Sequence, residues 1–197
     1  MVDIFEPNDT PYGMTYEAHI IKDWQRNLSL PVGKTPLQDK TGEATYGVGT
    51  DSQLIYLSGN DGGTTERTCK IGSGVGCFVS ICDAVYSEGE KPGSTVDQLS
   101  ALAKKDQDNV TDLYLEIDGQ KFSSEDLKKY RFHTSEFEVQ FPENALFGAK
   151  PGSSKAVADG YYVITKGFTP GPHTIVTRAS VSEPSWNSEV KYNLEVS

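Results

Sequence analysis

The stretch Val190-Lys191-Tyr192-Asn193-Leu194-Glu195-Val196 decides the fold class. In an extended chain Val190, Tyr192, Leu194 and Val196 share one face, while Glu189, Lys191, Asn193 and Glu195 share the other. That alternation belongs to a strand with one buried and one wet side. Two more strands precede it, Asp159-Gly-Tyr-Tyr-Val-Ile-Thr and, after Thr169-Pro-Gly-Pro, His173-Thr-Ile-Val-Thr. The three predict the closing part of an all-β domain.

Working back from these strands, the cysteines Cys69, Cys77 and Cys82 fall in a region that reads as a hairpin. Glu66 to Ile71 and Val75 to Cys82 are strand-like, joined at Gly72-Ser73-Gly74. If Ile71 faces Val75, Cys69 stands directly across from Cys77. Opposed Cα atoms about 4.5–5.5 Å apart admit a disulfide. Cys82 is then left single, as a small apolar side chain following Val79 and Ile81 or as a reactive thiol. No Cys/His spacing suggests zinc.

Helices decorate this β framework. Thr15 is a candidate N-cap for a helix in which Tyr16, Ile20, Trp24 and Leu28 recur every four residues, a stripe suited to packing on a sheet. The stripe at Val96, Leu99, Leu102 and Ala103 predicts a second helix over about 95–106. Ser123 to Asp126 offers a capping box for a short third one. Leu113, Leu115 and Ile117 alternate as a strand ending in the tight-turn signal Asp118-Gly119. Between Phe132 and the set Phe137, Val139 and Phe141 the apolar parity changes, which predicts a bulge near His133 to Ser135. Lys150 to Ser154 reads as a loop. The chain is thus read as a β-sandwich, Ig-like or jelly-roll-like, with an irregular N-terminal arm over 1–14 and one sandwich domain over 15–197.

Composition narrows the function. A net charge of −10 with a pI near 4.7 repels a phosphate backbone and argues against nucleic acid binding. No apolar run approaches the roughly 18 residues of a membrane span, so a soluble chain is expected. Met1 to Glu6 carries no signal-peptide pattern. Three sequons, at Asn8, Asn27 and Asn109, are compatible with an extracellular surface.

Candidate sites are few. Gly59-Asn60-Asp61-Gly62-Gly63 could hold Ca²⁺ through Asn60 and Asp61, although it lacks the ligand spacing of an EF-hand, and a plain turn accounts for it as well. The histidines His19, His133 and His173 are scattered, and each is more simply structural or solvated. No nucleophile elbow or zinc-protease helix is present. A hydrolase would have to use loop acids around Asp61, Glu143 or Asp159, whose separation one sequence does not supply.

Several short motifs in order carry a resemblance. Pro11-Tyr-Gly-Met-Thr-Tyr with Trp24, Ser29-Leu-Pro with Asp39-Lys-Thr-Gly, Leu57-Ser-Gly-Asn-Asp-Gly-Gly through Arg67-Thr-Cys69, Phe141-Pro-Glu-Asn, and Asp159-Gly-Tyr-Tyr with Pro170-Gly-Pro-His-Thr-Ile look like a broad family of exported prokaryotic proteins of uncharacterised function. The ending is also similar to the closing strands of bacterial and archaeal Ig-like domains. Where that family carries a cysteine after the Thr-Gly turn, this chain has Glu43, Ala44, Thr45 and Tyr46, so the Cys69–Cys77 pairing rests on local geometry alone. The resemblance supplies no catalytic residues. The Ig-like ending, the possible cross-strand disulfide and the missing catalytic constellation lead to the expectation of an extracellular or cell-surface protein that binds a protein or glycan there, or assembles with copies of itself, without a cofactor. The alternatives are a secreted carbohydrate-active or other hydrolase, and a Ca²⁺-stabilised adhesion module.

Overall fold

A computed structural model describes residues 2–45 and 53–197. Met1 and Tyr46 lie outside them. In chain order the elements are α1 (Tyr16–Leu28), β1 (Leu54–Leu57), β2 (Gly63–Ile71), β3 (Gly76–Ser87) and α2 (Val96–Asp108). They continue with β4 (Val110–Ile117), β5 (Gln120–Phe122), α3 (Ser124–Leu127), β6 (Arg131–His133) and β7 (Phe137–Phe141). Three long strands close the chain, β8 (Gly152–Ile164), β9 (Gly171–Val181) and β10 (Trp186–Val196). They form two five-stranded sheets, one ordered β1-β3-β8-β6 with β7 also on β8, the other β2-β10-β9-β4-β5. The sheets pack together as a β-sandwich carrying short helices, as expected from the strand patterning.

The helices begin where their caps predict. Thr15 Oγ1 accepts from Ala18 N at 3.2 Å, and Tyr16, Ile20, Trp24 and Leu28 are all buried. Each such side chain contributes roughly 1.5–3 kcal/mol by leaving water. Thr95 and Ser123 make capping boxes with Gln98 and Asp126. In α2 the buried stripe is Leu99, Ala103 and Gln107, so Val96 and Leu102 are only partly covered. The N-terminal arm is held to the end of β8, by Phe5 N donating to Ile164 O at 2.9 Å and the Tyr12 hydroxyl to Thr165 O at 3.0 Å.

The cysteine hairpin does not form. β2 runs parallel to β10, with Cys69 beside Leu194, whereas β3 runs parallel to β1 and antiparallel to β8, with Cys77 beside Ile55. The reason lies in the burial patterns. From Gly76 to Cys82 every residue of β3 is buried, which calls for a central strand with neighbours on both edges and cover on both faces. β2 alternates exposed and buried residues toward its end and serves an edge. The Gly72–Gly74 link therefore crosses between sheets: Ser73 N donates to Ser197 O and Gly74 N to Phe168 O, both at 2.8 Å. Cys69, Cys77 and Cys82 are buried free thiols, so the pairing drawn from the hairpin is corrected.

Two other expectations change in detail. The three closing strands do not share a sheet, since β8 belongs to one and the β9–β10 pair to the other. Lys150 to Ser154 is not all loop: β8 starts at Gly152, and Ser154 pairs with Val139. The bulge is found where the parity break predicts it. His133 opposes Asp159 and Phe137 opposes Ala156, so four steps on one strand stand against three on the other. Asp118 and Gly119 both adopt positive φ, +50° and +81°, as a two-residue β4–β5 hairpin requires.

Candidate functional site

The predicted Ca²⁺ candidates do not converge on a cation. Asn60 is buried and its amide is fully used: Nδ2 donates to Gly63 O at 3.1 Å and Thr65 Oγ1 at 3.0 Å, and Oδ1 accepts from Ser188 Oγ at 2.8 Å and Gly62 N at 3.1 Å. Asp61 is exposed, and its backbone carbonyl accepts from Trp186 Nε1 at 3.4 Å. Among the described residues no three His, Cys, Asp or Glu side chains gather as metal ligands. Glu143 lies in the exposed turn after β7, Asp159 lies within β8 and not on a loop as expected, and of the three acids only Asp159 sits in a cluster.

The Trp186 contact helps build one cleft. Gly62, at φ +118°, has no side chain, and a Cβ there would come within 2.9 Å of the indole nitrogen. The indole therefore lies over this turn. Opposite it stands the end of α2, tied to the β9–β10 turn by Ser182 N donating to Asn109 O at 3.0 Å and Asn109 Nδ2 to Glu183 O at 2.9 Å. Between them opens a cleft of about 190 Å³ lined by Cys82, Ala84, Asp106, Gln107, Pro184 and Trp186.

Its charged polar group is an acceptor. The Asp106 carboxylate takes one hydrogen bond, from the Tyr86 hydroxyl at 2.7 Å. Gln107 is 3% exposed, and its Oε1 has no hydrogen-bond partner. The Cys82 thiol at the floor is pushed up to about 12 by burial. A thiol so raised is a small apolar wall and not a nucleophile at neutral pH.

Asp83 also borders the cleft through the chain, but its side chain points the other way. It opposes Gly160, where an added Cβ would lie 2.4 Å from Asp83 Cβ, and so it shares the face of Tyr162. There Ser80 Oγ donates to Asp83 Oδ2 at 2.9 Å, Tyr162 hydrogen-bonds the same carboxyl, and Trp24 Nε1 donates to the Tyr162 hydroxyl at 3.2 Å. Burial raises Asp83 to about 6 despite those bonds. His19 is buried on the same helix. Its Nε2 lies 2.9 Å from Pro11 O, which can only accept, so Nδ1 accepts from the Tyr56 hydroxyl at 2.8 Å. Burial lowers its pKa, and it is a neutral structural group.

A second cluster lies on the other face of β8, beneath α2. Arg131 donates from Nε and Nη2 to the two oxygens of buried Asp159, at 2.8 and 3.1 Å, and from Nη1 to Asp108 at 2.8 Å. His133, the cross-strand neighbour of Asp159, places Nδ1 3.3 Å from Asp159 Oδ2 and Nε2 2.7 Å from Ser100 Oγ on α2. Sequence reasoning singled out His133 and Asp159 separately and missed Ser100. The residues stand 33 and 26 positions apart, and only the bulge beyond His133, together with the packing of α2, brings them into one row.

No family model and no curated protein matches the chain. Among solved structures it is similar to the solution structure of Amebosin, at 11% identity and TM-score 0.27, covering 74% of this chain and 98% of that one. It is likewise similar to PbICP-C in its complex with falcipain-2, at 13% identity and TM-score 0.29, covering 74% of this chain and 99% of that one. Scores of this size are too low to transfer a fold or a function.

Proposed function

We propose that this protein is an exported or cell-surface binding domain that holds one sugar residue of a surface glycan in the cleft between α2 and the β9–β10 turn. The observation that carries the reading is the composition of that cleft. One aromatic wall, Trp186, faces a carboxylate, Asp106, and an amide, Gln107, in about 190 Å³. An indole offers its face to the C–H side of a sugar ring, and a carboxylate takes hydroxyl hydrogens. A ligand rich in donors complements such walls, and the acidity of the whole chain disfavours an anionic one. The resemblance of the ordered motifs to exported prokaryotic proteins supports the location.

The chain has two tryptophans, and Trp24 is buried under α1, so fluorescence quenching on titration reports on Trp186. A screen of the intact protein against immobilised glycans should return a set sharing one terminal sugar. Trp186→Ala and Asp106→Asn should each weaken it by about ten-fold or more, as expected for losing a ring contact or a charge-assisted hydrogen bond. Absence of any glycan binding, or binding that both variants retain unchanged, overturns the reading.

A further inference from the structure

We propose that Ser100, His133 and Asp159 form a nucleophilic site that hydrolyses small O-acyl esters, separate from the sugar cleft. The direction of the row follows from its partners. Both Asp159 oxygens accept from Arg131, at 2.8 and 3.1 Å, so neither presents a proton to His133. The Nδ1 of His133 stands 3.3 Å from Asp159 Oδ2, an ion-pair contact and not a hydrogen bond, and a proton on Nδ1 faces that carboxylate. In the neutral ring Nε2 then carries the lone pair, and the Ser100 hydroxyl 2.7 Å from it is the donor. A hydroxyl hydrogen-bonded to a base that a third group orients is the arrangement of an activated nucleophile.

Asp159 is 2% exposed and clamped by Arg131, so the orienting end of the row is rigid. The imidazole is 41% exposed at its side chain, and Ser100 is partly exposed, so a substrate can reach the reacting end. Lys104, one helical turn beyond Ser100 on α2, carries the nearest cation along that helix, with its ammonium paired to Asp108 at 2.5 Å. The amide N–H of Ser100 lies inside the helix and is committed to its ladder. Without a pair of amide donors for an oxyanion, the site suits esters, whose leaving groups depart readily, and not amides.

The chemistry balances without a further reagent. Ser100 Oγ bonds to the ester carbonyl carbon as its proton passes to His133 Nε2. The carbon–oxygen bond to the alcohol breaks, and the alcohol leaves with that proton. Water then adds to the acyl-Ser100 carbon, again giving its proton to Nε2. The Oγ bond breaks with the proton returned, releasing the carboxylic acid. Ser100 and His133 are the catalytic residues, and Asp159 and Arg131 position them.

The test uses the intact protein with p-nitrophenyl acetate and, separately, with diisopropyl fluorophosphate followed by intact-mass and peptide analysis. The expected result is hydrolysis above that of Ser100→Ala and His133→Gln, and one phosphoryl group located on Ser100. Both Ser100→Ala and His133→Gln alter partly exposed positions, so circular dichroism should show them folded. Hydrolysis that survives in folded Ser100→Ala, or the absence of label on Ser100 in the parent, overturns the proposal whatever the outcome for glycan binding.

Discussion

Arg67 donates from Nη1 to the Tyr192 hydroxyl at 3.2 Å, inside the sandwich and without an ion pair to any described residue. Its remaining donors go to carbonyls: Nε to Asp39 at 2.7 Å, Nη1 to Ser58 and Gly59 at 2.7 and 3.0 Å, and Nη2 to Leu37 at 3.3 Å. One guanidinium thus joins the 37–39 segment and the end of β1 to the second sheet. Removing it strands several buried acceptors at once. Arg67→Met should lower unfolding free energy by about 3 kcal/mol or more, read as a shifted urea midpoint. Arg67→Lys should recover only part of this, because an ammonium cannot span the same acceptors.

Gly160 is a close-approach point of the first sheet. A Cβ there would lie 2.4 Å from Asp83 Cβ and 2.8 Å from the Cys82 carbonyl oxygen, and backbone cannot yield as a side-chain tip can. Gly160→Ala should cost about 1–3 kcal/mol by overpacking. Gly93, with open space around its Cβ but φ +86°, should respond to alanine through backbone strain alone.

Asp83 makes stability depend on pH in the sense opposite to a salt-bridged acid. Burial raises it from the ordinary 3.8 to about 6, so between those values the folded chain binds a proton that the unfolded chain has released. Its contribution is most favourable below about pH 4, declines as pH rises to about 6, and stays unfavourable above. Asp83→Asn should therefore add up to roughly 3 kcal/mol near pH 7.5 and little near pH 4, measured by urea unfolding at both. An equal effect at the two pH values would contradict this assignment.

His173 titrates in the other direction. Partial burial opposes its charge, but Asp118 Oδ2 at 2.6 Å and the Thr169 carbonyl at 2.8 Å outweigh it and raise the ring above its usual value. The stability it contributes is full below the unfolded pKa and is lost as pH rises through the folded one. Asp118→Asn should move the NMR titration of His173 downward. The same variant also tests the β4–β5 turn, since Asp118 Oδ1 accepts from Thr174 N at 2.8 Å.

The three thiols are predicted to be present and silent. Cys69, Cys77 and Cys82 are each 3% exposed or less, and burial pushes all three thiol pKa values up. Native protein prepared without reductant should give no reaction with Ellman's reagent over minutes, and denatured protein should give three equivalents. Fewer than three after denaturation would indicate a bond.

What the sequence alone determined was everything that depends on neighbours along the chain. The alternation of β10, the capping threonine and the Tyr16-Ile20-Trp24-Leu28 stripe of α1, the Asp118-Gly119 turn and the bulge after His133 are set by backbone period and local hydrogen bonding, and they were legible there. What only the tertiary structure decided was partnership. β2 and β3 are adjacent in sequence and individually strand-like, yet each has a lower-energy neighbour elsewhere, β10 for the one and β1 with β8 for the other, because β3 needs cover on both faces. That choice leaves Cys69 and Cys77 in different sheets. It also sets Trp186 across from Asp106 and Ser100 against His133, contacts between residues dozens of positions apart that no local period encodes.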